Sequence, residues 1–284
     1  MAEGKERSVA SGGWPGSNYP VDNPWITLTT DFGAESAYVG AMKGVILSYH
    51  PEARLVDITH AIPPQEIRMA ALVIAESTPY FPAGTIHVVV VDPGVGTDRA
   101  LLYAEVGNQR YLAPDNGVLT LVVKRSGLGR AIRLEERRYW RERVSATFHG
   151  RDILAPVAAQ LARGLDPGVL GPQVERLKLL DWPEPRIFPD RIEGQVIAVD
   201  SFGNLITNIE EGHIGQLGPR DRLLVEIGQW QIEGISRTYG QHPPGRVVSL
   251  IGSGGWLEVA VVCGNAAEVT GLGVDSTVRV RLKG

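Results

Sequence analysis

The chain has 284 residues, of which 43% are apolar, and its formal net charge is −4 at pH 7. This length and apolar content suffice for one large domain and a smaller one. The acidic balance argues against nucleic-acid binding, which usually needs a basic surface, and the densest basic cluster, residues 135–143, is interleaved with acids. With one cysteine, Cys263, the chain has neither a disulfide framework nor a thiolate zinc site, and the apolar run around Cys263 predicts a packed core thiol.

Residues 1–24 are polar and rich in Gly, Ser and Pro, which is typical of a mobile N-terminal arm. They contain no hydrophobic signal-peptide core, and no apolar stretch reaches the roughly 18 residues that a transmembrane helix needs. We therefore expect a cytoplasmic protein without membrane contact.

Strand-like and helix-like segments then alternate over residues 25–165. In chain order, the pattern predicts strands at 25–30, 54–59 and 86–91, helices at 37–49, 65–78 and 149–163, and a hairpin formed by LLYAEV and RYLAP. Apolar strands separated by helices of this length indicate an α/β domain with a mostly parallel sheet flanked by helices.

The composition changes after residue 165. Residues 166–190 contain five prolines and scattered glycines, which predicts a linker. Residues 191–284 carry short β-like runs broken by Gly and Pro, with little helical periodicity. These runs predict a smaller, C-terminal antiparallel β-barrel domain.

Acidic residues follow the predicted parallel strands where each strand ends. Asp31 follows the first strand, Asp57 lies near the end of the second, and Asp92 follows the third. Because ligands of open α/β sheets bind outside the carboxyl ends of the strands, these positions predict a site. Asp31 could equally form an Asx turn or helix N-cap, or its carboxylate could bind a ribose diol.

Asp92 opens the turn Asp92-Pro93-Gly94-Val95-Gly96, in which the glycines would let a ligand approach the backbone closely. Arg99 could simply neutralise Asp92, and His149 could cap or pack a helix. Alternatively, the three side chains could orient a water, with the arginine stabilising developing hydroxide and the other two relaying its proton. We expect no metal, since the chain lacks a metal-binding spacing and Arg99 would repel a cation.

The second half contributes DSFGNLITN (200–208) and the Gly-rich turn of IGSGGWLEVAVVCGNAAE (251–268). No phosphate-cradling motif is present. From residue types and spacing alone, the chain is therefore a small-ligand α/β enzyme with a β domain.

These motifs, namely TLTTDFG, Met42-Lys43-Gly44, VDITH, VDPGVGT with Arg99, APDNG, FHGRDI, DSFGNLITNI and GNAAE, occur in one order over residues 25–283. In that order the chain resembles the S-adenosyl-L-methionine (SAM) hydrolase (adenosine-forming) family, also called SAM hydroxide adenosyltransferase, which is related to fluorinase and chlorinase. The resemblance implies an α/β domain, a β-barrel domain and a homotrimer with sites between neighbouring subunits. It also implies that water or hydroxide displaces methionine from C5′ of SAM, a substrate rather than a cofactor, giving adenosine.

The resemblance further implies a role for individual residues. Asp92, Arg99 and His149 match the set that holds the nucleophile. The matched substrate-binding positions are Asp31 for the ribose, Phe148 and Gly150 for the nucleophile pocket, Asp200 and Ser253 for the methionine, Asn204 and Ala266 for the adenine, Tyr239 near the purine, and, without an assigned contact, Asn116 of APDNG and Asn265 of GNAAE.

Two departures from the halogenating relatives bear on the reaction. Those enzymes carry Tyr where this chain has Asp92, which favours hydroxide over halide because a carboxylate repels anions. They also carry an arginine after the serine that matches Ser253, where this chain has Gly254. Halide transfer, a non-catalytic adenosine-binding module and a metal-dependent hydrolase are the alternatives at this point.

Overall fold

A computed structural model of the chain describes residues 23–283, so the predicted N-terminal arm lies almost wholly outside the described residues. The strands of the first sheet are β1 (Trp25–Thr30), β2 (Arg54–Thr59), β3 (Ile86–Val90), β4 (Leu101–Val106), β5 (Gln109–Pro114), β6 (Leu128–Arg133) and β7 (Gln173–Val174). They lie in the order β2-β1-β3-β5-β4-β6-β7.

This sheet is mixed rather than mostly parallel. The pairs among β2, β1, β3 and β5 are parallel, whereas β4 pairs antiparallel with β5 and β6, and β6 pairs antiparallel with β7. The predicted parallel arrangement is therefore confirmed only for the half that carries the Asp31 and Asp92 turns. The other half begins with the predicted β4–β5 hairpin, and an apolar run does not encode the direction of its neighbour.

Helices cover both faces of the first sheet. They are α1 (Ala37–Tyr49), α2 (Ile67–Ser77), α3 (Thr120–Ser126) and α4 (Ala155–Ala162), with a π-helical turn at Gly150–Leu154 directly before α4. One core cluster packs α1 and α4 against β1 and β3, and a second packs α2 and α3 against the opposite face. The Ser36 side chain accepts a hydrogen bond from Tyr38 N–H and so caps α1 directly after the Asp31 turn.

The second sheet is antiparallel and nearly closed. Its strands are β8 (Arg186–Ile187), β9 (Arg191–Val199), β10 (Leu205–Glu210), β11 (Leu223–Ile227), β12 (Trp230–Glu233), β13 (Val247–Ile251), β14 (Trp256–Val261) and β15 (Thr277–Leu282). Strand order is β12-β11-β15-β9-β10-β14-β13 with β8 beside β9, and a bridge from Ser236 to Leu250 joins the two ends. Two short helices, α5 (Glu211–Ile214) and α6 (Ala266–Thr270), follow β10 and β14.

The two sheets share part of one core. Ile197, Ala198, Ile206 and Trp256 of the second sheet are buried in the same cluster as residues of α2 and α3. Within the predicted linker, β7 pairs with β6 and β8 pairs with β9, and Trp182 is buried in that cluster. The domain limits drawn from the sequence stay a prediction.

No helix within residues 23–283 is long and apolar enough to cross a membrane. The cytoplasmic location stays a prediction.

Candidate active site

The Asp31 turn lies at the carboxyl end of β1. Asp31 is half-buried, and its Oδ2 accepts a hydrogen bond of 2.8 Å from the backbone N–H of Gln65, in the loop before α2. Gly33 N–H donates to the carbonyl of His60, which follows β2. The turn is therefore tied at two points to the loop between β2 and α2, and the predicted strand-end position of Asp31 is confirmed.

Asp92, Arg99 and His149 form one continuous hydrogen-bonded chain. Arg99 Nε donates to both carboxylate oxygens of Asp92 at 2.8 and 2.9 Å, and Nη2 donates to Oδ2 at 2.5 Å. The same Nη2 lies 2.9 Å from Nδ1 of His149. The side chains of Asp92 and Arg99 are each only 8% exposed, so this pair is strongly coupled and largely shielded from water.

His149 is held in its neutral form. Burial lowers the pKa of the ring below 6.5, and the positive charge of Arg99 lowers it further, against the opposing charges of Asp92 and Asp152. Because the Arg99 guanidinium can only donate, Nδ1 must accept, which assigns the ring hydrogen to Nε2. At neutral pH the ring can therefore donate one hydrogen bond from Nε2.

Two glycines of the Asp92 turn serve the protein's own packing. Gly96 has φ +81°, and a Cβ there would lie 2.5 Å from the carbonyl oxygen of Ala146. A Cβ on Gly94 would lie 3.3 Å from Cγ of Arg99. Gly96 thus lets the turn dock against the segment that carries His149, and Gly94 leaves room for the Arg99 side chain. The close approach of a ligand to these glycines stays a prediction.

Asp152, which is not among the predicted site residues, fixes that segment. It is fully buried; Oδ1 accepts from Arg141 and Arg151, and Oδ2 accepts from Ser145 N–H and Arg151. Burial alone would raise the pKa of Asp152, but hydrogen bonds from these partners lower it to about 2. The sequence signal that could have identified it is an acidic residue three positions after His149, between Arg151 and the apolar run Ile153-Leu154-Ala155.

A cavity of about 240 Å³ opens in front of this chain. Its lining includes Asp31, Asp92, Phe148, His149 and Gly150. Gly150 is buried, and a Cβ there would lie 3.0 Å from Val90, so the π-helical turn packs directly on β3. The structure thus brings together in one cavity all but one of the predicted ribose- and nucleophile-binding residues, with Arg99 behind Asp92.

Three aromatic rings stand beside this cavity. Phe32, Tyr38 and Phe148 contact one another edge to face, with centroid separations of 5.2 to 5.6 Å. Tyr38 is 58% exposed, so this aromatic surface is open at one side.

A second, separate cavity of about 830 Å³ lies on the β-barrel sheet. It is lined by Asp200, Asn204, Tyr239 and Ser253, among others. Asp200 accepts hydrogen bonds from Phe202 N–H, Asn204 N–H and the Asn204 side chain, at 2.8 to 2.9 Å. Its Asx turn therefore shapes the cavity edge.

Acidic groups that the sequence analysis did not single out surround this second cavity. Glu258 accepts a hydrogen bond of 3.0 Å from Tyr239, whose pKa is raised to about 12 by burial and by the Glu258 charge. Burial raises the pKa of Glu258, and the charge of Asp200 raises it further. Glu76 of α2 packs against Gly254, and burial raises its pKa as well, against the charge of Arg125. The carboxyl groups of Asp200 and Glu258 line this cavity together with Arg237, so it can bind a cationic group at its acidic side.

Three predicted binding residues line neither cavity. Asn116 donates to the carbonyl of Val91 and accepts from Val118 N–H. Asn265 caps α6 through Glu268 N–H, and Ala266 is fully buried. Cys263, expected in the core, is instead exposed at the rim of the second cavity with φ 53°, because the chain turns sharply after β14.

Within residues 23–283, no group of three or more His, Cys, Asp or Glu side chains is placed to hold a metal ion.

Comparison with known proteins gives a consistent family. The model of the SAM hydroxide adenosyltransferase N-terminal domain matches residues 26–171, and that of the C-terminal domain matches residues 194–279. An (R)-S-adenosyl-L-methionine hydrolase of Thermus thermophilus is 40% identical over 264 residues, covering 90% of this chain and 98% of the relative. A fluorinase of Nocardia brasiliensis is 28% identical, over 69% of this chain and 74% of the relative.

Among solved structures, that of an uncharacterized conserved protein from Thermotoga maritima superposes with a TM-score of 0.85. It is 34% identical and covers 90% of this chain and 99% of its own.

Proposed function

Because the chain belongs to the SAM hydroxide adenosyltransferase family, we propose that it hydrolyses SAM by attack of water or hydroxide at C5′, giving adenosine and L-methionine. The observation that carries this proposal is the buried Asp92–Arg99–His149 chain, which borders the same cavity as Asp31. A carboxylate and a neutral histidine in one cavity wall suit the binding of water.

The reaction needs no general acid at sulfur but needs a well-positioned oxygen nucleophile. The sulfonium sulfur of SAM leaves without protonation, so the enzyme has to hold an oxygen in line with the C5′–S bond. Asp92 accepts a hydrogen bond from that oxygen and His149 donates one from Nε2, while Arg99 fixes both side chains from behind. As the C5′–O bond forms, the C5′–S bond breaks with its electron pair on sulfur, so methionine departs as the neutral thioether, and the proton of the water passes along its hydrogen bond to Asp92.

The electrostatics favour water over halide. The carboxylate of Asp92 lines the cavity, whereas Arg99 lies behind it and is occupied by Asp92 and His149. A halide would therefore meet the negative end of the pair. The greater divergence of the fluorinase relative agrees with this preference.

The remaining predicted residues bind the rest of SAM in this proposal. Asp31 binds the ribose hydroxyls beside Phe148 and Gly150. Asp200 and Ser253 bind the methionine end, where the acidic surroundings complement the ammonium group. The adenine and purine contacts are assigned to Asn204, Asn265, Ala266 and Tyr239, and Asn116 supports the turn after β3.

A complete site then needs two subunits. The ribose and nucleophile residues other than Arg99 line one cavity, and Asp200, Asn204, Tyr239 and Ser253 line another on the same chain. We propose a homotrimer in which one subunit's first cavity faces its neighbour's second cavity, as the family resemblance implies. Light scattering should give three times the chain mass.

Complementation tests the shared site directly. Asp92→Ala and Asp200→Ala variants are each expected to be inactive, because each destroys one half of every site. Trimers assembled from an equal mixture should regain about a quarter of the wild-type activity, since about that share of sites pairs two intact halves. Persistent inactivity of mixed trimers would mean that each site lies within one subunit.

The reaction itself is tested with ¹⁸O-water. Purified protein is incubated with SAM in chloride-free buffer, and the nucleoside is analysed by mass spectrometry. Adenosine labelled at the 5′ oxygen is the expected product, and its formation should survive exhaustive chelation, because Arg99 disfavours a cation at the nucleophile. Absence of enzyme-dependent adenosine, with the nucleoside still binding, would reject hydrolysis in favour of a binding module.

A further inference from the structure

Polar residues from three sequence motifs, none of which has a role in the proposed chemistry, meet beside the Asp31 turn. Lys43 of α1 lies with Nζ 2.5 Å from Oδ2 of Asp57, near the end of β2. Oδ1 of Asp57 lies 3.1 Å from Nε2 of His60, and Nδ1 of His60 lies 2.9 Å from the hydroxyl of Thr30. The three motifs, in α1, β2 and β1, thus form one polar chain.

This row of polar side chains, from Lys43 to Thr30, ends at the turn that carries Asp31. Thr30 Oγ1 accepts a hydrogen bond of 3.3 Å from Phe32 N–H. In addition, the backbone carbonyl of His60 accepts from Gly33 N–H at 2.8 Å. His60 therefore holds both the residue before Asp31, through its ring, and the second residue after Asp31, through its backbone.

Each group in this chain has one consistent donor or acceptor role. The Thr30 oxygen accepts from Phe32 N–H, which leaves its own hydrogen for Nδ1 of His60. Nδ1 then accepts, which assigns the ring hydrogen to Nε2. Nε2 lies 3.1 Å from Oδ1 of Asp57, a close polar contact whose angle does not meet hydrogen-bond geometry. Burial supports the chain, because Thr30 is fully buried and the side chain of His60 is only 9% exposed.

We propose that His60 is a positioning residue for ribose recognition: with Thr30 and Asp57 it sets the orientation of the Asp31 turn. The inference rests on the proposed function in one respect, that Asp31 binds the ribose hydroxyls. The only hydrogen bond to the Asp31 carboxylate from within residues 23–283 is that of Gln65 N–H, so its direction depends on the backbone on either side. A bidentate contact with a diol tolerates little rotation of that carboxylate.

Two replacements of His60 separate its two ring contacts. In His60→Asn the amide takes the place of Nδ1 and keeps the Thr30 contact, whereas in His60→Gln it takes the place of Nε2 and keeps only the Asp57 contact. Thr30→Val provides an independent variant, because it removes the hydroxyl with little change of shape. His50→Ala is the matched control, since His50 also makes one ring hydrogen bond, to Asn23 at the far end of α1.

The readout is binding of adenosine and of 3′-deoxyadenosine, measured by calorimetry on the intact assembly. The dissociation constant of 3′-deoxyadenosine divided by that of adenosine measures how strongly the 3′-hydroxyl is bound, and it does not depend on turnover. For the wild type we expect a ratio of about tenfold or more, as for a hydroxyl that is bound by a carboxylate. His60→Gln and Thr30→Val should reduce the ratio to about twofold, whereas His60→Asn and His50→Ala should stay near the wild type.

A merely structural role predicts a different pattern. General loosening of the fold would weaken both nucleosides equally and leave the ratio unchanged, and that result would overturn the proposal. The proposal would also be overturned if adding His60→Gln to Asp31→Ala lowered the ratio of dissociation constants further. A residue that acts through Asp31 should have no effect on the ratio once Asp31 is removed. A wild-type ratio near one would overturn the ribose role of Asp31 and the positioning role together, while labelled adenosine from SAM would still support hydrolysis.

Discussion

Asp92→Asn tests the assignment of the nucleophile-holding chain with little change in volume. The carboxylate receives three contacts of 2.5 to 2.9 Å from Arg99, and the pair is 8% exposed. An amide offers only one acceptor oxygen, so at least one donor of Arg99 then faces an N–H group, and the link from Arg99 to His149 shifts. The oxygen nucleophile loses both an acceptor and its alignment.

The expected loss in the chemical step is about 10²- to 10⁴-fold, the usual range for a positioned proton acceptor, or about 3 to 5 kcal/mol of barrier. Affinity for SAM should change less than about threefold, because Asp31 and the barrel residues are untouched. Single-turnover rates over a range of SAM concentrations separate the two quantities.

The control for this substitution is Glu105→Gln. Glu105 also pairs with an arginine, Arg130, at 2.7 Å, but it lies on β4 and lines neither cavity. Its rate should equal that of the wild type. A rate for Asp92→Asn within about threefold of the wild type would refute the role of Asp92, because loss of a catalytic hydrogen-bond acceptor should lower the rate by a larger factor.

Three further results are expected. Since the pKa of His149 is depressed by burial and by Arg99, the rate should stay constant down to about pH 6.5 and fall only below it, and an acid limb well above that pH would contradict a neutral His149. Burial lowers the pKa of His87 from 6.5 to about 4. The contribution of neutral His87 to the free energy of unfolding should therefore be fully present above pH 6.5 and decrease by about 3 kcal/mol as the pH falls to 4. Urea titrations of His87→Gln should not show this decrease. Gly96→Ala should lower the free energy of unfolding by about 2 to 4 kcal/mol, because the new Cβ meets the Ala146 carbonyl and φ is positive. Gly164→Ala, whose φ is +92° with no atom within 4 Å, should lose only about 1 kcal/mol. Equal losses in the two variants would show that the Ala146 carbonyl does not clash.

Local pattern was sufficient for most elements of the chain. The predicted helix at 37–49 coincides with α1, and the predicted strands at 25–30 and 54–59 coincide with β1 and β2. Hydrophobic periodicity with turn residues at the ends is a local property, and these segments obey it. The same reasoning placed Asp31 and Asp92 at strand ends and suggested the Asp92–Arg99 pair, which the structure confirms.

Other features depend on partners distant in the chain. The roles of Gly96 and Asp152 follow from contacts with the segment 141–148, which the spacing of either residue does not reveal. Glu76 lies on α2 but packs against Gly254, far along the sequence. An alternating or helical pattern does not identify such contacts, because it records which face is buried and not what covers it.

Most strands and helices, the acids at the strand ends and, through the ordered motifs, the family resemblance that the comparisons bear out could be read from the sequence. Three features required the folded structure: the antiparallel half of the first sheet, the hydrogen-bonded arrangement of Asp92, Arg99 and His149, and the division of most predicted ligand-binding residues between two cavities. The physical reason is the range of the interactions concerned. Propensity and periodicity act within a few residues, whereas strand direction, buried ion pairs and cavities arise when segments far apart in the chain exclude water between them.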